Sequence, residues 1–330
     1  MTKLRIISDL HYTRGINGPA WDKNYKSSDL WKNFGEQLQN PVDFTLIAGD
    51  IAAGIDDHNE FFQSFFPNEK VIFIDGNHLI YYTIKDYFRP ILSEAKQELK
   101  EKFPKTHLLW NYLENDWMWI DQNTAIIGTT FYTDYAYCDL TLEELNDIIK
   151  AWNVWGSLYG LPLKSTPITE LTKKVIQEET MSEARGRLND FQWGNESKRK
   201  RLSPEYYLKL HKKAKKEVKR CYNEITSFNP NANIILMTHH CLSPQCISKE
   251  YKKGLLNASY TSNLEKWIDK EFPRIKLIVS GHVHNRCDFT FGKRNVRYII
   301  NPCGYISYNE PYNEPKFNPN LIIDTEELND

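Results

Sequence analysis

The sequence predicts an α/β fold on three observations. Five short runs rich in β-branched and aromatic residues read as buried strands: Leu4-Arg5-Ile6-Ile7, Phe44-Thr45-Leu46-Ile47, Val71-Ile72-Phe73-Ile74, Ile234-Ile235-Leu236-Met237 and Leu277-Ile278-Val279. Helical stretches separate these runs, so strand and helix alternate and the runs are expected to belong to one sheet. The chain has 330 residues, 41% hydrophobic and 13% aromatic, which is enough for one large domain with a substantial core.

The later elements follow from local signals. Ala125-Ile126-Ile127-Gly128 reads as a further strand, and Arg297 to Asn301 as a late one. Asn320 to Asp324 is expected to form a last strand before an acidic tail. Between them, Asp139 to Lys150 suggests a helix, Asn153 to Thr166 a Gly- and Pro-punctuated loop, Ile168 to Arg185 a helix, and Trp193-Gly194-Asn195 the centre of another loop. A structureless loop of that length is uncommon, so residues at about 132–202 are expected to form a partly helical cap.

The helix from Ser203 to Ser227 is the best signalled. Ser203 suits the N-cap, Pro204 the first turn, and Glu205 the positive end of the dipole. Tyr207, Leu210, Ala214, Val218, Cys221 and Ile225 recur at helical spacing and should pack on the sheet. The opposite face carries Lys209, Lys212, Lys213, Lys216, Lys219 and Arg220, and reads as a solvated face.

Each of the five runs leads directly into a polar signature. These are Asp9-Leu10-His11, Gly49-Asp50, Gly76-Asn77-His78, His239-His240 and Gly281-His282-Val283-His284. They would lie just past the carboxyl ends of the strands, where open α/β sheets bind ligands. Taken singly, each has an ordinary reading as a turn, a loop pair or a satisfied histidine. Together, Asp, His and Asn from five strand ends describe a metal site. Because motifs from both ends of the chain meet there, residues 1–330 form a single domain.

The donor set exceeds what one tetrahedral ion needs and suits two ions with open positions. Carboxylate and amide oxygens with imidazole nitrogens favour manganese, with iron, zinc or nickel as alternatives, and the lack of closely paired cysteines argues against structural zinc. Two ions about 3.5–4 Å apart need a shared carboxylate, and Asp50 on the middle strand is the natural bridge.

The order and spacing of these motifs resemble the calcineurin-like metallophosphoesterase family, whose pattern runs D-x-H, G-D, G-N-H, H, G-H-x-H. The resemblance covers nearly the whole chain. It implies a four-layer α/β/β/α sandwich of two mixed sheets flanked by helices. It also implies that Asp9, His11 and His284 hold one ion, that Asn77, His239 and His282 hold the other, and that Asp50 is shared. His78 matches the family histidine that faces the phosphate and assists the leaving group. Ser259 to Glu265, Asn301-Pro302-Cys303-Gly304-Tyr305, Leu188-Asn189-Asp190-Phe191 and Leu210-His211 resemble a bacterial branch of the family whose members lack a settled substrate. Two positions depart from the pattern. Leu79 follows His78 where the family usually has an acid, and Ala53 and Gly54 stand where its protein phosphatases carry Asp and Arg.

The implied activity is hydrolysis of a phosphate ester, either a small-molecule or nucleotide phosphomonoester or a phosphodiester, by a metal-bound hydroxide. A nuclease acting on polynucleotide is the enzymatic alternative and a non-catalytic interaction scaffold the other. The filled ligand set counts against the scaffold. Candidate substrate contacts from loop position are Arg14, His58, Tyr132, Asp134, His240 and Arg286, the last because a guanidinium can bind two phosphate oxygens at once. Trp152, Trp155, Tyr159 and Trp193 of the cap suit either a planar substrate group or the cap's own core. A formal net charge of −1 gives no global signal for nucleic acid or membrane. The first residues already form a strand and no run approaches membrane-spanning length, so a cytoplasmic location is expected, with the six cysteines reduced.

Overall fold

The computed structural model describes residues 1–12, 34–35, 38, 40–52, 54–80, 91–140, 147, 168–193, 195–197, 200–251, 254–308, 310–313 and 315–328. Its centre is a pair of facing mixed sheets. In the first, β1 (Lys3–Ile7), β2 (Phe44–Ala48), β3 (Val71–Ile74) and β4 (Trp110–Tyr112) run parallel, and β13 (Ile322–Asp324) pairs antiparallel with β1. In the second, β6 (Thr124–Thr129), β9 (Asn233–Thr238), β10 (Ile275–Ser280) and β12 (Val296–Ile300) run parallel. Antiparallel edges β5 (Asp116–Trp119) and β11 (Cys287–Phe291) complete it.

The five motif-bearing runs therefore divide between two sheets, three in the first and two in the second, instead of forming one. Each strand is buried on both faces, and such strands read as the same continuous apolar run whichever sheet holds them. Alternation then sorts the side chains. Leu4, Ile6, Leu46 and Ile72 meet Ile126, Ile235, Met237 and Leu277 between the sheets. Ile7, Ile47 and Phe73 face outward onto Phe61, Phe62 and Leu99 of the helices α1 (Ile55–Phe65) and α2 (Leu92–Lys102).

On the other outer face, Ile127, Ile234, Leu236 and Ile278 pack against Ala214, Val218 and Ile225 of a helix spanning Pro204–Phe228, and against Ile268 of another spanning Glu265–Glu271. The result is the expected four layers. The Pro204–Phe228 helix starts where its sequence signals it, since the Ser203 side chain accepts a hydrogen bond from the Tyr206 amide. Lys209, Lys212, Lys213, Lys216, Lys219 and Arg220 are exposed.

Of the segment expected to form a cap, the helix α3 (Ile168–Arg187) is present; of the expected loop around Trp193-Gly194-Asn195, Trp193 ends a short helix α4 (Asn189–Trp193), Asn195 begins a strand, and Gly194 lies outside the described residues. A two-stranded ribbon of β7 (Asn195–Ser197) and β8 (Lys200–Arg201) follows it. A five-residue helix is too short to establish a period in sequence. Of the helix expected at 139–150 only residues 139, 140 and 147 are described, and the loop at 153–166 and the residues Trp152, Trp155 and Tyr159 lie outside the described residues.

Candidate metal centre

Backbone pairing continues past the strand ends and draws the motifs together. The Asp9 and His11 amides donate to Gly49 O and Asp50 O at 3.1 and 2.9 Å, zipping the exits of β1 and β2. The Gly281 amide donates to His239 O at 3.0 Å and does the same for β10 and β9. Five of the seven candidate ligands then take left-handed backbone angles: Asp9 (φ 51°), His11 (45°), Asp50 (49°), His282 (73°) and His284 (38°). For residues with side chains this conformation costs on the order of 1–3 kcal/mol each, and it persists where the surroundings over-determine it.

The motif glycines are steric requirements. A Cβ on Gly76 would lie 1.9 Å from Asp50 Oδ1, and one on Gly49 would lie 2.4 Å from His239 Nδ1. Gly49 also has φ +88°, which glycine adopts without strain.

The convergent atoms form overlapping groups, two of which contain Asp50. Asp9, His11 and His284 offer ligand atoms within 4.8 Å of one another, and so do Asp50, His239 and His282. His11 Nε2 lies 2.8 Å from His284 Nε2, and His284 Nε2 lies 3.7 Å from Asp9 Oδ1. In the second group His239 Nε2 is 3.3 Å from Asp50 Oδ2 and 3.0 Å from Asn77 Oδ1. His78 also falls within reach of His11 and Asp50, with its Nε2 3.8 Å from Asp50 Oδ2.

The far sides of these donors are held. Glu310 Oε2 sits 2.6 Å from His284 Nδ1, and Ala48 O sits 3.0 Å from His239 Nδ1. The amides of His282 and His78 donate to Asp9 Oδ1 and Asp50 Oδ1 at 2.7 and 3.0 Å. Outer partners of this kind fix the tautomer and aim the opposite ring nitrogen inward.

Burial and mutual charge set the protonation states. Burial holds His11 and His282 well below the usual imidazole range and brings His78 down to about 4, leaving neutral rings. Burial also opposes charge on His239, but Asp50 outweighs it and lifts this ring to about 9. The converse holds at Asp50, where His239 and His78 overcome burial and keep the carboxyl well below its usual range. Asp9 is raised by burial, and its fully buried Oδ2 has no hydrogen-bond partner. A buried carboxylate oxygen without a partner, ringed by imidazole nitrogens, fits a cation.

The sequence-predicted substrate contacts separate. His240 and Arg286 line a cleft of about 920 Å³ whose floor includes Asp50, Asn77, His78, His282 and His284. His240 is buried with its ring centroid 4.2 Å from that of His282, and Arg286 spends one nitrogen on Lys316 O at 2.6 Å. The structure does not bring His58, Tyr132 or Asp134 to the cleft. His58 is packed inside α1 with Nδ1 2.6 Å from Gly54 O, because that helix turns its apolar face inward. Tyr132 is buried against Tyr207 at 4.1 Å, and the amide of Asp134 donates to Ser262 Oγ at 3.2 Å. Arg14 lies outside the described residues.

Three residues join the site that no candidate set contained. Tyr305 OH lies 3.0 Å from His78 Nε2, Glu310 holds His284, and Asp190 Oδ1 accepts from Asn77 Nδ2 at 3.3 Å. Tyr305 and Asp190 lie in segments that the family resemblance picks out. Glu310 has no comparable signal.

Candidate ligand groups gathered on the loops of a four-layer α/β/β/α sandwich are the arrangement of a metallohydrolase. The chain belongs to the calcineurin-like phosphoesterase family, whose pattern matches residues 2–286. It is a metal-dependent phosphoric ester hydrolase. Among solved structures, a phosphopantetheinyl hydrolase from Mycobacterium tuberculosis is 17% identical, with 96% of this chain and 94% of that one covered, at a TM-score of 0.59. A dimetal phosphatase from Danio rerio is 13% identical, with 91% and 86% covered, at a TM-score of 0.44. At these identities the likeness is one of fold. No curated protein matches the chain. Among the described residues, no helix is long and apolar enough to cross a membrane.

Proposed function

We propose that Asp9, His11 and His284 hold one divalent ion, that Asn77, His239 and His282 hold the other, and that Asp50 bridges them. The observation that carries this reading is the set of overlapping ligand groups, two of them containing Asp50, of which Asp50, His78, His282 and His284 line one cleft. Mixed oxygen and imidazole donors suit manganese. The ions, when bound, supply Lewis acidity toward the phosphoryl oxygens and acidify water near neutral pH.

The chain's own residues do the rest. Asn77 contributes a neutral oxygen donor, which leaves its ion more electrophilic than a further carboxylate would. His78, neutral in this setting, offers one N–H as a hydrogen-bond donor that stabilises negative charge on the departing ester oxygen. The cleft volume suits a small-molecule or nucleotide phosphomonoester or phosphodiester. The basic face of the Pro204–Phe228 helix contributes no lysine to the cleft lining, which favours such substrates over polynucleotide.

A panel of phosphomonoesters, phosphodiesters and cyclic nucleotides assayed with Mn²⁺ tests the reading, with Asp50→Asn as control. Turnover of a small ester is expected, and the variant should fall below about a tenth of wild type at saturating metal. Activity retained in Asp50→Asn, or seen only on polynucleotide, would refute it.

A further inference from the structure

We infer that Asp190, carried by the cap segment, is a positioning residue that sets the orientation of the Asn77 amide toward one of the two ions. The inference rests on the ligand assignment proposed above. Asn77 Oδ1 lies 3.0 Å from His239 Nε2, inside the ligand group, while its Nδ2 donates to Asp190 Oδ1 at 3.3 Å. An amide has two ends of nearly equal shape, but only the oxygen can hold a cation. An ionised carboxylate only accepts, so Asp190 rejects the flipped amide and keeps the oxygen turned inward.

Asp190 is itself fixed. It is 4% exposed, and its Oδ2 accepts from Tyr207 OH at 2.9 Å. The Tyr207 ring is wedged between Tyr132 and Phe191, with centroids 4.1 and 5.1 Å away. Asp190 stands on α4, which packs against the turn Asn77–Ile80, 113 residues distant in sequence. The cap segment therefore reaches the candidate ligands through one carboxylate, whose two oxygens accept from the Asn77 amide and from the Tyr207 phenol of the Pro204–Phe228 helix, and the proposed second site depends on that contact.

Removal of a partner that orients a metal ligand typically costs about 10–100-fold in metal affinity. The test is Mn²⁺ titration of metal-stripped full-length protein by calorimetry, with electron paramagnetic resonance reporting exchange-coupled ion pairs and circular dichroism checking the fold. Wild type is expected to take up two ions. Asp190→Ala should weaken one of them about 10–100-fold, leave the other unchanged and lose the coupled signal. Asp190→Asn should weaken that ion less than Asp190→Ala does, because its amide oxygen can still accept from Asn77, although its NH₂ can also meet the flipped amide. Tyr207→Phe, which leaves the carboxylate in place, should weaken the same ion a few-fold and serves if Asp190→Ala does not fold.

Wild-type affinity for both ions in Asp190→Ala or in Tyr207→Phe overturns the inference. Equal loss in Asp190→Ala and Asp190→Asn also overturns it, since a hydrogen-bond acceptor kept beside Asn77 would then be without effect. Uptake of fewer than two ions by wild type would instead refute the two-ion reading on which it stands.

Discussion

The phenol oxygen of Tyr305 lies 3.0 Å from Nε2 of His78, and the Tyr305 ring stacks on His11 with centroids 4.3 Å apart. The residue after His78 is Leu79, buried in the core, where the family usually has an acid. Tyr305, reaching back from the loop after β12, meets the imidazole at the nitrogen that faces Asp50. Tyr305→Phe is expected to lower kcat about tenfold on alkyl esters and less on activated aryl esters, whose leaving groups need little help. His78→Ala should cost about 100-fold on the alkyl substrate, and the double variant no more, because the phenol acts through the ring. Equal slowing of both ester types, or loss of metal, would remove His78 from the leaving-group role.

Gly76 separates steric need from chance. Gly76→Ala would press a methyl into Asp50, whose Oδ1 would stand 1.9 Å and whose backbone nitrogen 2.7 Å from the new carbon. Backbone cannot yield cheaply, so metal uptake should fall and stability should drop by about 1–3 kcal/mol. Gly186→Ala is the control, since nothing lies within 4 Å of its added carbon and it sits in α3. That variant should gain up to about 1 kcal/mol in denaturant unfolding. If Gly76→Ala binds metal like wild type, the close packing of Gly76 on Asp50 is not what sets the site.

Much of the convergence at this candidate site was legible because the candidate ligands follow strands that are buried on both faces. Asp9, Asp50, Asn77, His239 and His282 announce themselves as polar residues directly after runs such as Phe44 to Ile47, where an apolar period stops. The partition of those strands between two sheets was not legible, because Ile6 and Ile235 face one another across the sheets and nothing local encodes that. Glu310 was hidden for a different reason. It stands in a short 3₁₀ turn without periodicity, and its role exists only through contact with His284. His58 misled because a loop-like Asp56-Asp57-His58 is in fact the first turn of a helix capped by Gly54. Acidic residues there favour the helix dipole, which competes with reading them as substrate contacts.

The basic face offers a direct test against nuclease action. Lys212, Lys213 and Lys216 are exposed, whereas Arg220 is already committed to Glu217 and Glu224 at 2.7 and 2.8 Å. Changing the three lysines to Gln should leave hydrolysis of a small phosphodiester within about twofold of wild type, since surface charges away from a site contribute little. A polynucleotide substrate bound there would lose affinity, and its salt dependence would flatten by roughly three charges' worth. Several-fold loss on the small substrate, with circular dichroism unchanged, would instead bring this face into the active site.

His58 predicts how stability responds to acid, apart from the metal ligands. Burial lowers its pKa to about 4, against about 6.5 in the unfolded chain, although the Gly54 carbonyl raises it somewhat. Because the folded value is depressed, the unfolded chain binds the extra proton between those limits, so stability is intact above about pH 6.5 and falls as pH drops toward 4. At pH 5 the loss from this one group is about 2 kcal/mol, by the linkage relation. His58→Gln keeps a donor for Gly54 O and cannot titrate, so its stability should fall correspondingly less between pH 7.5 and pH 5. Urea unfolding of metal-free protein at the two pH values measures the difference, and other histidines cancel in the comparison. Equal pH slopes in variant and wild type would mean that His58 is protonated in the folded chain, and that its burial in α1 does not exclude charge.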